Sequence, residues 1–384
     1  MSSLDIDVGV LLSTTGSYGY VAQSMLNGVL LAVEEVNRAA LGLRLTPTVL
    51  DPGGDLASYG VHAEALLCSG IRHVVGCYTS SARKEVIPLF EKHEGLLWYP
   101  SHYEGFESSN NVIYTGASPN QHMLPLVDYL LQHHGRRAFC VGSNYIWAWE
   151  NNRILRESVT SRSGSVLAER YFAVGKTDFS QVVEAIIAAR PSFVFLTLIG
   201  TSAYTFFRAF RAACRAAGID QAREIPVASC SLSEPELEAI GSEAVDGHLS
   251  SSVYFTSIES TENARFLQAY RNAFPDGPTA SADAEASYNA VWLLARSVAA
   301  AASDDPRAVK ARLVDQHCDA PQGEVWIDSE TFHAFLTPRI GRSTKDARFD
   351  LVDEARAPVR PDPYLVNNSG RFEAAPFSVL RLVS

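Results

Sequence analysis

Short apolar runs of strand type alternate with segments of helical periodicity through the first 230 residues of this chain. Residues 6–12 are rich in β-branched residues and leucine, and residues 25–36 then carry apolar side chains at helical spacing. The same order recurs with strand-like runs at residues 45–50, 71–76 and 96–99. Parallel strands that are joined by helices and covered on both faces produce this order. The predicted fold class is therefore α/β with parallel sheets.

The alternation restarts after a strand-like run at residues 112–114. Residues 116–120 contain Gly, Ser, Pro and Asn, as expected where a chain crosses between two domains. Four further strand-like runs follow, at residues 138–142, 166–172, 193–198 and 225–230. A length of 384 residues also favours about two domains. We predict two α/β lobes with a ligand cleft between them, and we expect the short strand-like pieces after residue 306 to complete these two lobes.

Composition narrows the classes of function. The net charge of −11 leaves no basic surface for nucleic acid or for an anionic membrane, and the apolar runs are shorter than a membrane span. The first residues lack the basic and apolar regions of a signal peptide, so we expect a cytoplasmic protein, or a periplasmic one if a leader has been removed. The six cysteines form no CxxC pair, and we expect six buried, reduced thiols.

Motifs of catalysis are sparse. Ser81 and Lys84 fit the S-x-x-K nucleophile motif, but its companion motifs are missing, so a hydrolase remains the weakest alternative. A plainer interpretation is that Ser80 or Ser81 caps a helix and that Lys84 is solvated. Asp55 is likewise expected to cap a helix after the turn at residues 51–54. We predict no enzyme activity, no cofactor and no metal site.

Three segments combine aromatic and hydroxyl side chains at points where strands are expected to end. They lie at residues 76–81, 97–106 and 142–150. Their aromatic members are Tyr78, Trp98, Tyr99, Tyr103, Tyr145, Trp147 and Trp149. Aromatic walls with a few hydroxyl donors suit a small, neutral, partly polar ligand.

Several short segments of the sequence resemble those of a known protein family. They include Asp51-Pro-Gly-Gly-Asp55, Val75-Gly-Cys-Tyr78, Tyr103-Glu-Gly-Phe-Glu107, Pro119-Asn-Gln121, Asp319-Ala-Pro-Gln-Gly323 and Arg360-Pro-Asp-Pro-Tyr364. In these segments the chain resembles the AmiC-like amide-sensing negative regulators of the aliphatic amidase operon. It is more distantly similar to urea- and short-amide-binding proteins of ABC transporters. The resemblance implies the type I periplasmic-binding-protein fold, with residues 1–118 and about 250–330 in the N-terminal lobe and residues 119–249 and about 331–384 in the C-terminal lobe.

The resemblance also implies a set of ligand-binding residues. These are Tyr78, Ser80, Tyr99, Ser101, His102, Tyr145, Trp147, Ile199 and Ser231. Four of them depart from the family pattern: Ser101 and Ser231 replace threonines, Trp147 replaces a tyrosine, and His102 replaces a proline. The hydrogen-bonding character is largely kept, whereas the shape of the pocket is changed.

The function that this resemblance implies is that of a cytoplasmic sensor of small amides. A neutral amide of the acetamide, butyramide or urea class would close the two lobes. The partner would be a response-regulator-type RNA-binding antiterminator, which would itself make any RNA contact. A substrate-binding receptor of an ABC transporter is the main alternative, and the sequence leaves open whether the chain forms a homo-oligomer.

Overall fold

The computed structural model describes residues 4–366 and places the first five strands in one parallel sheet. The order of the strands in this sheet is β2-β1-β3-β4-β5. The strands are β1 (Leu4–Leu11), β2 (Leu43–Leu50), β3 (His73–Gly76), β4 (Leu96–Tyr99) and β5 (Val112–Tyr114). β3 and β4 are fully buried, as expected for central strands with helices on both faces.

A second sheet of seven strands has the order β15-β14-β10-β9-β8-β6-β7. Its strands are β6 (Arg137–Ser143), β7 (Ser165–Phe172), β8 (Phe193–Thr197), β9 (Val227–Ser229), β10 (Leu249–Ser252), β14 (Arg339–Ser343) and β15 (Phe349–Glu354). The first five of these are parallel, and β14 and β15 are antiparallel. The two parallel-dominated sheets confirm the predicted fold class.

The late strands divide into two groups. β14 and β15 complete the second sheet. β11 (His317–Ala320), β12 (Gly323–Ile327) and β13 (Ala334–Phe335) form a separate antiparallel sheet, and β11 contacts α10 and α11. These three strands are joined by short connections, so each pairs with its neighbour along the chain.

Helices cover the two main sheets. They are α1 (Gly19–Arg38), α2 (Leu56–Cys68), α3 (Ser80–Lys92), α4 (Pro119–His133), α5 (Ile146–Thr160), α6 (Ser180–Ala189), α7 (Thr201–Ala216), α8 (Gln221–Glu224), α9 (Glu234–Ile240), α10 (Thr261–Ala273), α11 (Ala282–Ala301) and α12 (Pro306–Leu313). Asp55 caps α2 by accepting a hydrogen bond from the backbone N–H of Ser58, as predicted. The cap of α3 is Thr79, not Ser80 or Ser81, because the Ser80 hydroxyl is turned toward Glu104.

The chain passes between the two main sheets three times: after β5, after β10 and before β14. α11 therefore returns to pack along α1, which belongs with the first sheet. Gly28 permits this close approach, since a Cβ there would lie 2.2 Å from the carbonyl oxygen of Ala284. We call the body around the first sheet the first lobe and the body around the second sheet the second lobe. Residues 367–384, which the prediction assigned to the second lobe, lie outside the described residues.

The cysteines are free thiols, as predicted. Five are buried, but Cys68 is exposed at the last residue of α2, where the prediction of a buried thiol was wrong. In the described part of the chain, no helix combines the length and the hydropathy that a membrane crossing requires.

Candidate ligand-binding site

Seven of the nine predicted residues surround one small cavity between the lobes. In the closed structure this first cavity has about 10 Å³ of space open to a water molecule. The first lobe contributes Tyr78, Ser80 and His102, and the second lobe contributes Tyr145, Trp147, Ile199 and Ser231. Each side chain follows the carboxyl end of a parallel strand, which is where open α/β sheets bind ligands.

The other two predicted residues lie behind this wall. The Tyr99 hydroxyl donates to the carbonyl oxygen of Tyr78 at 3.0 Å, and the Ser101 hydroxyl lies 3.5 Å from the carbonyl oxygen of Cys77. Tyr99 and Ser101 thus support the backbone that carries Tyr78 and do not line the first cavity.

Ser80 belongs to a buried network of charged side chains. Its hydroxyl donates to Glu104 and accepts from Arg83 Nη1 at 3.3 Å. Arg83 is fully buried, and its guanidinium lies 4.7 Å from the centres of both the Tyr99 and Tyr103 rings. Because the hydroxyl proton is engaged, Ser80 offers a ligand its backbone N–H, which lies in the first turn of α3 where helix N–H groups lack intrahelical partners.

The same network accounts for Lys84. Its ammonium lies 2.6 Å from Glu107 Oε2, and Arg83 Nε lies 2.8 Å from Glu107 Oε1. Burial would raise the pKa of Glu107, but the two cations outweigh burial and hold that pKa at about 2. An ammonium that is paired with a carboxylate is a poor base for Ser81, which weakens the hydrolase alternative.

The second-lobe wall is aromatic. The rings of Tyr145 and Trp147 stack at 6.2 Å, and His102 meets Trp147 edge-on at 5.4 Å. Trp147 Nε1 is buried and has no hydrogen-bond partner within the described residues. A buried donor without a partner costs about 1–3 kcal/mol, so this N–H suits an acceptor on a ligand.

The remaining aromatic residues of the three segments serve packing. Trp98 is completely buried in the core of the first lobe, and Trp149 is 44% exposed. Tyr103 stacks on Tyr114 and hydrogen-bonds His333. Only Tyr78, Tyr145 and Trp147 of the aromatic set line the first cavity.

A second cavity, with about 20 Å³ open to a water molecule, adjoins the first and shares His102 with it. Its other lining residues are Pro100, Gly116, Ala117, His122, Cys230, Ser251, Ser252, Val253, Ala282, Asp283 and Ala286. The predicted set does not include His122, Ser251 and Asp283, which lie in α4, β10 and α11. No local pattern marked them, because each lies among other polar residues.

Contacts across the cleft show that the lobes are closed. The Tyr20 hydroxyl donates to Glu238 Oε2 at 3.0 Å, and Thr279 donates to the same carboxylate. The backbone N–H of Thr201 donates to the carbonyl oxygen of Ser17 at 3.1 Å. Gly200 makes this approach possible, because a Cβ there would lie 2.1 Å from Ser17 O.

Other concave or metal-compatible features lie apart from the cleft. The groove beside Arg339 and Arg360 has a volume of about 470 Å³, but α4, β14, β15 and the segment after β15 form it without the first lobe. On the outer face of the first lobe, Glu64, Cys68 and His93 could hold a metal ion, since their ligand atoms lie within 4.8 Å of one another. Lys92 already pairs with Glu64 at 2.9 Å.

Comparisons with known proteins agree on the class of fold. A family model described as "Periplasmic binding protein domain" matches residues 6–370. A solute-binding protein of an ABC transporter from Rhodopseudomonas palustris, solved with p-hydroxybenzoic acid, superposes with a TM-score of 0.85 at 20% identity, over 95% of this chain and 100% of that chain. The branched-chain amino acid binding protein LivJ from Streptococcus pneumoniae, solved with isoleucine, superposes with a TM-score of 0.78 at 19% identity. The match covers 93% of this chain and 100% of that chain.

One curated relative has a different description. A limonene hydroxylase from Geobacillus stearothermophilus is 26% identical over 128 residues, which is 33% of this chain and 23% of the hydroxylase. The chain thus spans about a quarter of that protein, whereas the family model covers nearly all of this chain. The two closed α/β lobes, the cleft at their strand ends and the full-length match agree, and this chain belongs to the periplasmic binding protein family.

Proposed function

We propose that this chain is a receptor that binds a short amide or urea-type solute between its lobes, as the substrate-binding proteins of ABC transporters bind theirs. The observation that carries the proposal is the lining of the first cavity. It consists of phenol, hydroxyl, imidazole, indole and aliphatic groups from both lobes, with no lysine or arginine among the seven residues.

The donors of the first cavity suit a carbonyl oxygen. Ser80 offers a backbone N–H at the start of α3, and Trp147 offers an unpartnered indole N–H. A carboxylate ligand would lack a cationic partner here, because Arg83 is already engaged by Glu104 and Glu107. This supports an amide over the benzoate-type solutes of some structural neighbours.

The lobes are tightly closed around the first cavity. About 10 Å³ is open to a water molecule, roughly the space of one water, so a ligand must enter while the lobes are open, and this favours a ligand of few atoms. The binding free energy of very small ligands has a ceiling of about −1.5 kcal/mol per heavy atom. A four-atom ligand such as acetamide can therefore reach about −6 kcal/mol, which corresponds to a Kd of tens of micromolar.

Binding would act through closure. A ligand that touches both Ser80 and Trp147 binds the closed state better than the open state. It shifts the population of the two states by that difference in affinity. A transporter or another partner could then recognise the closed form.

Calorimetry tests the proposal. The protein is titrated with acetamide, butyramide, urea, isoleucine and 4-hydroxybenzoate, and we expect an amide or urea to bind most tightly. The variant Ile199→Trp, which fills the first cavity, should abolish that binding, whereas Leu167→Trp on the exposed face of β7 should preserve it. Tightest binding of isoleucine or 4-hydroxybenzoate would refute the proposal.

The regulatory role and the cytoplasmic location remain predictions from the sequence resemblance. The RNA-binding antiterminator would have to recognise one of the two lobe arrangements. Fractionation of native cells separates the two roles, since recovery from the periplasm would support transport and recovery from the cytoplasm would support sensing.

A further inference from the structure

Asp283 brings a largely buried carboxylate to the second cavity. The residue is 5% exposed, lies in the first turn of α11 and has no hydrogen-bond donor for its carboxylate among the described residues. Its nearest cation-forming neighbour is His102, whose Nδ1 lies 3.6 Å from Asp283 Oδ1 and thus beyond hydrogen-bond distance. The helix dipole favours a negative charge at this place but supplies no hydrogen bond.

His122 adds a second acceptor to the same cavity. Its side chain is completely buried, and Nε2 lies 3.0 Å from the carbonyl oxygen of Tyr103. Since a carbonyl only accepts, Nε2 carries the proton and Nδ1 presents a lone pair. Nδ1 has no partner within the described residues, and burial lowers the pKa of His122 to about 3, so the ring is neutral.

Ser251 completes the set. Its hydroxyl oxygen is buried and, in the described part of the chain, lacks a hydrogen-bond partner. Neither cavity has a lysine or arginine in its lining. A carboxylate, an imidazole lone pair and a hydroxyl oxygen together suit a group with several N–H donors and a positive charge, which describes a primary ammonium.

His102 is the boundary between the two cavities. Its ring lies edge-on to Trp147 at 5.4 Å and to His122 at 5.6 Å. Only about 10 and 20 Å³ of the two cavities are open to a water molecule in the closed structure, so a ligand that spans both requires the His102 ring to move. Such a ligand would place one end near Ser80 and the other near Asp283.

We propose that the solute carries an amino group at the end opposite its amide, and that Asp283, His122 and Ser251 bind this ammonium in the second cavity. The inference rests on the proposed function, because the amide end occupies the first cavity. It narrows the ligand class to short amino amides.

Paired ligands test the inference by calorimetry at pH 7. The pairs are glycinamide with acetamide, β-alaninamide with propionamide, and 4-aminobutyramide with butyramide. We expect at least one amino amide to bind tenfold or more tightly than its parent amide. Asp283→Asn and Ser251→Ala should each reduce this ratio of affinities, amino amide to parent amide, to below threefold. Asp276→Asn in the exposed loop before α11 should leave the ratio unchanged.

The outcomes separate the inference from the function on which it rests. If the parent amides bind and no amino amide binds better, the second cavity holds only water and the inference is wrong while the proposed function survives. A ratio that persists in Asp283→Asn and in Ser251→Ala also overturns the inference. If no member of any pair binds, both proposals are wrong.

Discussion

Arg83 and Glu104 form an ion pair in the interior of the first lobe. Arg83 Nη2 lies 2.9 Å from Glu104 Oε1, and the two side chains are 0% and 2% exposed. The same carboxylate accepts the hydroxyl of Ser80, so one buried pair holds a residue of the candidate site in place.

Removing Arg83 should destabilise the fold. Arg83→Met leaves Glu104 buried without its cation, which costs about 3–5 kcal/mol of unfolding free energy. Arg153→Met removes a partly exposed cation that pairs with Glu150 and Glu157, and it should cost about 1 kcal/mol or less. Urea unfolding of the two variants measures the difference, and equal losses would contradict the role of the buried pair.

Trp147→Phe should weaken ligand binding and leave the fold intact. Phenylalanine keeps an aromatic surface but lacks the N–H that the first cavity offers, and the loss of one such bond, about 1.4 kcal/mol, corresponds to tenfold in affinity. Trp149→Phe is the control, because Trp149 is exposed and its N–H donates to Asn144 at 3.2 Å. Calorimetry with the preferred amide measures the dissociation constant of each variant. Equal affinities for the two variants would count against the site.

Gly200→Ala should hinder closure of the lobes. A Cβ at this position would lie 2.1 Å from Ser17 O across the cleft, and the φ of +57° is itself unfavourable for alanine. Gly218→Ala is a matched control, because its φ is +68° but no atom lies within 4 Å of the added Cβ. Small-angle scattering at saturating ligand should show a larger radius of gyration for Gly200→Ala alone.

Glu236 should make stability depend on pH. Burial, reinforced by Asp283, raises the pKa of Glu236 from 4.5 to about 8, so the folded state retains a proton that the unfolded state releases. The contribution of Glu236 to stability is complete below pH 4.5 and is lost as the pH rises to about 8. The loss is on the order of 5 kcal/mol, since each pKa unit corresponds to about 1.36 kcal/mol.

Glu236→Gln separates this effect from others of the same sign. Glutamine can still accept from Ser233 in the capping box, but it does not titrate. The unfolding free energy of the variant should therefore fall less between pH 5 and pH 8.5. A residual slope is expected from Glu234 and Glu285, since burial also raises their pKa values to about 7. The exposed Glu184→Gln should retain the wild-type slope.

We expect one cysteine of the native protein to react with a thiol reagent. Cys68 is exposed, and the other five thiols are buried. Ellman's reagent should modify one thiol per chain in buffer and six in denaturant, and Cys68→Ser should remove the rapid phase. Two or more rapid thiols would contradict the described burial.

Local patterns predicted much of this fold. β1 to β9 follow from apolar runs between turn residues, because strand and helix periodicities are local properties of the chain. β10 was missed because it is rich in serine, and the separate sheet of β11, β12 and β13 was not predicted because strand pairing is not local. The exposure of Cys68 was missed because helical periodicity does not identify the last, solvent-facing turn of α2.

The nine candidate site residues were predicted from the family resemblance. Seven of them line the first cavity, and Tyr99 and Ser101 lie behind it because they point toward the backbone at Cys77 and Tyr78. Asp283 and His122 could not be found in this way. They reach the second cavity from α11 and α4, far apart in the sequence, and only tertiary packing brings them together.

The three passages of the chain between the lobes also constrain its synthesis. α1 packs against α11, and about 240 residues separate the two helices along the chain. A nascent chain that has completed the second-lobe strands up to β10 still exposes the face of α1 that carries Gly28 and Leu31, because Ala284 of α11 covers this face in the folded protein. The first lobe cannot finish folding on the ribosome until residue 301 has emerged, so protection of that face by a chaperone would matter most during this interval.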